Sequence, residues 1–301
     1  MNAFYIILTA SLFSISCGLL GSFLILRKMA MVGDAISHAV LPGIVVAFLL
    51  TGSRDSFEMI AGAALLGVFT TFLIEFFHKH ARLQTDAAIG VTFTWLFALG
   101  VILISVFAGQ IDLDQDCVLY GEIAYVPLDL WMTSSGRILG PKAIYIASVV
   151  LLINLVFIRL GFKQLLLTTF DPAFAATIGI SVSLWHYLLM GAVSMTTVAA
   201  FDSVGAILVV ALLVAPPATA YLLTDRLRTM LLWTVVLSVI MSIAGYYLAV
   251  AIDGSIAGAM VTVAGVLFAL AFLFSPTHGV VFKQILQQKE AKKFTRQKPV
   301  S

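Results

Sequence analysis

Nine long apolar stretches, separated by short polar connections, constrain what this chain can fold into. They lie near 4–26, 33–52, 57–77, 87–109, 140–160, 182–202, 203–223, 229–251 and 255–275. A hydrocarbon core about 30 Å thick takes about 20 apolar residues of helix to cross. The expected fold is therefore an all-α polytopic membrane protein with about nine transmembrane helices. Charged residues make up 11% of the chain, against about 25% in a soluble domain, which excludes the soluble classes. The sixth and seventh stretches run together, with only Asp202, Ser203 and Gly205 between them. A tight turn and a broken helix both fit that junction. The first stretch lacks a basic leader and a small-residue cleavage site, so it reads as a retained span. Cys17 lies in an apolar run and Cys117 in a polar loop, a pattern of neither disulfide framework nor zinc cluster.

The placement of cations orients the chain. One set of connections carries Arg27, Lys28, Lys79, Arg82, Arg159, Lys163, Arg226 and Arg228, and the basic tail adds six more of the 17 Lys and Arg residues. The other set carries only Arg54, Arg137 and Lys142. The positive-inside rule puts the first set and the C-terminus in the cytoplasm and, with nine spans, the N-terminus outside. Residues 1–281 then form the membrane domain and 282–301 a basic cytoplasmic tail near anionic membrane lipid. No nucleic-acid partner is expected.

Within this apolar chain, residues 27–43 place Asp34 and His38 four residues apart and end on Pro42-Gly43. Residues i and i+4 share a helix face. An ionisable residue inside a membrane span is a functional candidate. A carboxylate beside an imidazole suits Mn(II), Fe(II) or Zn(II). The plainer reading is a helix N-terminus, with Asp34 at the positive dipole end and His38 a satisfied polar residue. Two ligands leave most of a divalent ion's coordination open, so further ligands are expected from a neighbouring helix or a symmetry mate. The candidates are His186 and Asp202. Sixteen residues of helix rise about 24 Å, so both cannot join one mononuclear site on a straight helix. Depth favours His186, whose plainer reading is a packing histidine beside Trp185 and Tyr187; Asp202 also reads as a turn or N-cap residue. No cofactor is expected to be bound permanently. The ion is cargo.

Three further stretches matter. Asp112 and Asp114, with Asp116 and Glu122, form an acidic lip on the outer side that would concentrate cations or simply be solvated. The spacing resembles the start of a calcium loop, but the glycine and terminal glutamate of an EF-hand are not at their positions. Residues 161–181 are too polar and interrupted to span. There, Asp171-Pro172 starts a short helix well, and Ala175, Ala176 and Gly179 give it a small-residue side suited to docking; a mere connecting turn fits the stretch equally. Pro42 and the Pro216-Pro217 pair interrupt helices, where they would line or gate a path or merely shape packing.

At this point the residues carry a resemblance. LRKMAMVGDAISHAVLPG at 26–43 resembles the signature of the membrane permease subunit of ABC importers for manganese, zinc and iron. TDAAIGVTFTWLFALGVIL at 85–103, DLDQDCVLYGEI at 112–123, TTFDPAFAATIGI at 168–180, VGAILVVALLVAPPATAYLLTDRL at 204–227 and FSPTHGV at 274–280 follow in that family's order. The resemblance implies a type II importer fold in a bacterial inner membrane. It implies two permease subunits, of this chain or of a paralogue, with cytoplasmic ABC ATPase subunits and an extracytoplasmic metal-binding protein. It also implies that Asp34 and His38 contact the metal, manganese before zinc or iron, and that 168–180 is the coupling helix that meets the ATPase. No lysine in the chain directly follows a glycine, so it has no P-loop and cannot cradle ATP phosphates in one. It is expected to be a transport permease and not an enzyme. The competing expectation is a stand-alone proton-coupled or facilitative metal transporter.

Overall fold

The computed structural model describes residues 2–51, 56–81, 83–107, 123–132 and 138–275. Among the described residues ten α-helices follow in order: α1 (Asn2–Leu26), α2 (Val32–Thr51), α3 (Ser56–His80), α4 (Thr85–Phe107), α5 (Lys142–Phe170), α6 (Pro172–Thr177), α7 (Val182–Val204), α8 (Ala206–Leu223), α9 (Leu227–Ile252) and α10 (Ile256–Phe274). All but the short α6 match the nine apolar stretches. Six of them, α1, α4, α5, α7, α9 and α10, are long and apolar enough to cross a membrane by length and composition, and Ile207–Leu223 of α8 is a shorter apolar helix. One element was not foreseen. Before α5, a short antiparallel hairpin pairs β1 (Leu130–Met132) with β2 (Ile138–Pro141), and its register slips between Trp131 and Met132. Outside a span, backbone groups need not close on their own helix, and a hairpin satisfies them.

The core is built around α1. It is apolar on all sides, as a helix surrounded by protein must be. Phe13, Cys17, Leu20, Phe23 and Leu24 are fully buried, and so are Thr9, Ser14, Ser16 and Ser22. The polar side chains tie α1 to its neighbours. Asn154 Nδ2 on α5 donates to Ser16 Oγ and to Thr196 Oγ1 on α7, each at 2.7 Å. Ser238 Oγ on α9 donates to the Ser14 carbonyl at 3.2 Å.

These pairings also fix directions. On α7, His186 meets Arg27, while Thr196 lies level with Ser16 through Asn154, so α7 runs against α1. On α8, Leu213 meets Gly21 and Ala220 packs toward Leu26, so α8 runs with α1. The chain therefore reverses at Gly205, whose φ of 83° is one that glycine adopts at little cost. The junction left open by the sequence is a turn, and α1 packs against both of the helices that it joins.

The proline pair of α8 explains the closest approach in the core. Pro216 and Pro217 lack the amide hydrogens that would bond to the carbonyls of Leu212 and Leu213. Both prolines are buried. A Cβ placed on Gly21 would stand 1.8 Å from the Leu213 carbonyl oxygen and 3.2 Å from Pro217 Cγ. The freed carbonyl is thus covered by the bare edge of α1. In this arrangement the proline break lies at the seam between α8 and α1.

Gly21→Val is expected to abolish the folded protein or lower its stability by at least about 1–3 kcal/mol, the range for overpacked cores. Gly90→Ala, where a Cβ would meet nothing within 4 Å, is expected to leave the unfolding temperature in detergent unchanged or slightly raised. Equal behaviour of the two variants would contradict this packing.

Candidate metal site and its neighbour

The chain leaves α1 through a sharp turn in which Lys28 adopts φ 59° and Met29 N donates to the Leu24 carbonyl at 2.9 Å. This turn delivers Asp34 into the first turn of α2, where the helix dipole favours negative charge. One turn on, His38 Nε2 stands 3.5 Å from Asp34 Oδ1. Two ligand atoms held about 2.1 Å from one ion at the tetrahedral angle are about 3.4 Å apart, close to the separation of this pair, which is equally that of a direct imidazole–carboxylate contact. Pro42 cannot donate to the His38 carbonyl, so the helix bond that would occupy that oxygen is missing.

The surroundings of the pair are one-sided. Ala35, Ile36 and Ala39 on the same helix are fully buried. The His38 ring lies 5.8 Å from the ring of Phe93 and 6.1 Å from that of Phe97, both on α4. Yet the His38 and Asp34 side chains keep 35% and 29% of their surface exposed. The pair is thus held by α2 and α4 on one side and open on the other. Among the described residues no third His, Cys, Asp or Glu joins them.

His186 stands elsewhere. Arg27 Nη1 donates toward His186 Nδ1 at 3.4 Å, Arg27 Nη2 donates to Thr168 Oγ1 at 2.9 Å and Arg27 Nε to Thr169 Oγ1 at 3.1 Å. Arginine only donates, so Nδ1 accepts and the neutral ring carries its proton on Nε2. That nitrogen faces Glu75 Oε2 at 3.9 Å, and Glu75 also pairs with Lys79 one turn along α3. Burial pushes the Arg27 guanidinium down to about 10, so it stays charged at neutral pH. A Cβ on Gly67 would touch both Ser194 and Ile36, which sets Ile36, between Asp34 and His38, level with residue 67. Glu75 is eight residues further along α3, about 12 Å at 1.5 Å per residue. The structure therefore brings His186 together with Arg27 and Glu75 and not with the Asp34–His38 pair. Asp202 lies in the last turn of α7, and its side chain is outside the described residues. So are Asp112 and Asp114 of the acidic lip, and the tail at 282–301.

The short α6 begins two residues beyond Phe170, with Asp171 between. Asp171 caps it, accepting from Phe174 N at 2.9 Å, with Pro172 in the first turn. It ends in a Schellman motif: Ile180 N donates to the Ala175 carbonyl at 3.0 Å and Gly179 N to that of Ala176 at 3.1 Å, with Gly179 at φ 85°. Of the small residues on this helix, Ala175 faces inward and is fully buried, while Phe174 and Ile178 are half exposed. The outward face thus sets these two bulky apolar side chains beside the exposed Ala173, Ala176 and Gly179. Sequence reasoning missed the two bulky residues of this face, and it missed Arg27, Glu75, Thr168 and Thr169 as one cluster. The available signals were a lone glutamate in a span with lysine four residues on, and an arginine at the exit of the first helix.

The whole described bundle has known counterparts. The family model described as "ABC 3 transport family" matches residues 2–275. The manganese transport system membrane protein MntD of Bacillus subtilis is 50% identical over 281 residues, 93% of this chain and 95% of that one. The zinc transport system membrane protein TroD of Treponema pallidum is 47% identical over 92% of this chain and 75% of its own. Among solved structures, PsaBC from Streptococcus pneumoniae in complex with Fab superposes with a TM-score of 0.74 at 32% identity, covering 91% of both chains. With a family match from the first described helix to the last and a relative half identical over nearly its full length, this chain belongs to the ABC 3 transport family.

Proposed function

We propose that this chain is the membrane-spanning permease of an ATP-driven importer that carries Mn(II), with Zn(II) and Fe(II) as alternative cargo. The observation that carries the reading is the Asp34–His38 pair, 3.5 Å apart on a helix inside a membrane bundle, open on one side. In this reading the ion arrives from an extracytoplasmic binding protein and is gripped between Asp34 and His38. The open side is completed by a second permease subunit, either another copy or a paralogue. Manganese is favoured because the half-identical Bacillus relative carries that metal in its name. ATP hydrolysis resides on a separate subunit, as in other members of the family.

The coupling role falls to residues 168–180. The exposed Phe174 and Ile178 of α6 offer an apolar knob to a cytoplasmic ATPase subunit. Immediately before α6, Thr168 and Thr169 are gripped by Arg27, which ends the helix leading into the metal-binding turn. A tilt of α6 would therefore pull on Arg27, only seven residues from Asp34. The N-terminus lies outside and the tail at 282–301 in the cytoplasm.

Uptake of Mn(II), Zn(II) and Fe(II) in cells that carry the cognate ATPase and binding protein tests the reading. His38→Ala at matched membrane abundance is expected to lower uptake of one metal at least tenfold, since even groups that only support a metal ligand are worth about 10–100-fold. Removal of the ATPase is expected to have the same effect. Unchanged uptake in His38→Ala would refute the site, and uptake that survives without the ATPase but collapses with the proton gradient would refute the ATP-driven mechanism.

Arg27→Gln removes the charge-assisted bonds to Thr168 and Thr169, each worth about 1.5–3 kcal/mol, and the longer one to His186. It is expected to cut transport per ATP hydrolysed several-fold while the ATPase subunits still co-purify. Arg27→Lys, which keeps the charge but not the fork, is expected to recover part of it. Loss of ATPase binding in both variants would mean that Arg27 only holds the fold.

A further inference from the structure

Between α5 and α9 lies a groove of about 670 Å³ at the end of the bundle that carries Arg27 and α6. Both helices are long and apolar enough to cross a membrane, and both pack on α1. Phe162, Leu166 and Leu167 form the apolar floor, and Lys163, Arg226 and Arg228 the charged rim. No carboxylate is among the lining residues. The Arg228 guanidinium lies over the Phe162 ring at 5.4 Å from its centre, which holds one cation at the lip.

The groove continues into the apolar faces of the two helices. Residues 167, 163, 160 and 156 follow one another at spacings of four, three and four, so they form one stripe of α5. Residues 228, 232 and 236 do the same on α9. Leu160 and Val156 on the first stripe, and Leu232 and Val236 on the second, are among the exposed large apolar side chains of the chain, Leu160 at 78% and Leu232 at 68%. Three cations at the mouth and two apolar tracks leading away match one ligand chemistry, an anionic headgroup on acyl chains. We propose that this groove binds an anionic phospholipid of the cytoplasmic leaflet. Its phosphate sits among Lys163, Arg226 and Arg228, and its chains run along Leu160 and Val156 and along Leu232 and Val236. Basic clusters beside spans at the cytoplasmic face attract anionic headgroups. The chain's own tail is a poor occupant, since Lys283, Lys289, Lys292, Lys293, Arg296 and Lys298 would meet like charge. A second copy seated groove to groove would bring the same cations. The assignment to the cytoplasmic leaflet rests on the orientation adopted under Proposed function.

Native mass spectrometry of the purified chain tests this, after incubation with phosphatidylglycerol or phosphatidylcholine of matched acyl chains. The wild type is expected to retain phosphatidylglycerol over phosphatidylcholine by at least about fivefold. The combined variant Lys163→Gln, Arg226→Gln and Arg228→Gln is expected to lose that preference. Should that variant fail to fold, Leu167→Trp, which fills the floor without altering charge, is expected to lower retention of phosphatidylglycerol as well. Equal retention of the two lipids by the wild type, or an undiminished preference in a folded variant, would overturn the proposal. So would a variant that keeps the lipid but loses its ATPase subunits, because the groove would then be a protein-docking surface. The readout needs no transport, so an importer reading that fails on uptake leaves it standing, and the converse also holds.

Discussion

The contact between Gly21 of α1 and the Leu213 carbonyl of α8 is the interaction on which the rest of the bundle depends. In hydrocarbon a helix must satisfy its own backbone groups. The proline pair breaks that rule on α8, and the bare edge of α1 covers the exposed oxygen. A Cβ at Gly21 would stand 1.8 Å from it, so no side chain is tolerated there. With α8 seated, α1 is fixed in depth. Its remaining sides are then set by short polar bonds to Asn154 and Ser238, which pull α5, α7 and α9 around it. Directional bonds of this kind are valuable where lipid offers no hydrophobic drive for one helix to meet another.

The depth of α1 decides where the chemistry falls. Its last turn presents Arg27 to the end of α5, and the turn at Lys28 starts α2 with Asp34 already in its first turn. The Asp34–His38 pair and the Arg27–Glu75–His186 cluster therefore lie about 12 Å apart along the bundle, linked by the few residues between Arg27 and Asp34. Arg27, just past the end of α1, bonds to Thr168 and Thr169 shortly before α6, and the chain reaches Asp34 seven residues later. This arrangement also separates two roles for histidine. His38 stands by a carboxylate in a half-open site, whereas His186 stands between a guanidinium and a carboxylate, where a cation such as Mn(II) would meet Arg27.

Much of this was legible in the residues. Apolar run length located the long helices of the described residues, six of them long and apolar enough to cross a membrane, because crossing demands length above all, and the spacing of Asp34 and His38 placed them on one face. What escaped depended on distant partners. The reversal at Gly205 could not be told from a broken helix until α1 appeared between α7 and α8. The meeting of Arg27 with Thr168 and His186 joins residues more than 140 positions apart, which no local pattern encodes. On α6 the small residues suggested a docking side; Ala175 turns inward, while Ala176 and Gly179 lie outward with Phe174 and Ile178, a division set by how the six-residue helix packs and not by its spacing. The hairpin at 130–141 carried no alternation long enough to read.

The central claim is that Asp34 and His38 together hold the transported ion. Electron spin-echo spectroscopy of Mn(II) bound to the purified chain tests it most directly, since an imidazole ligand couples its nitrogen to the manganese electron spin. The expected result is a clear nitrogen coupling in the wild type that disappears in His38→Ala while the variant keeps its helical content and unfolding temperature. A coupling that persists in His38→Ala, or a wild type that binds Mn(II) with no imidazole nitrogen, would contradict the account.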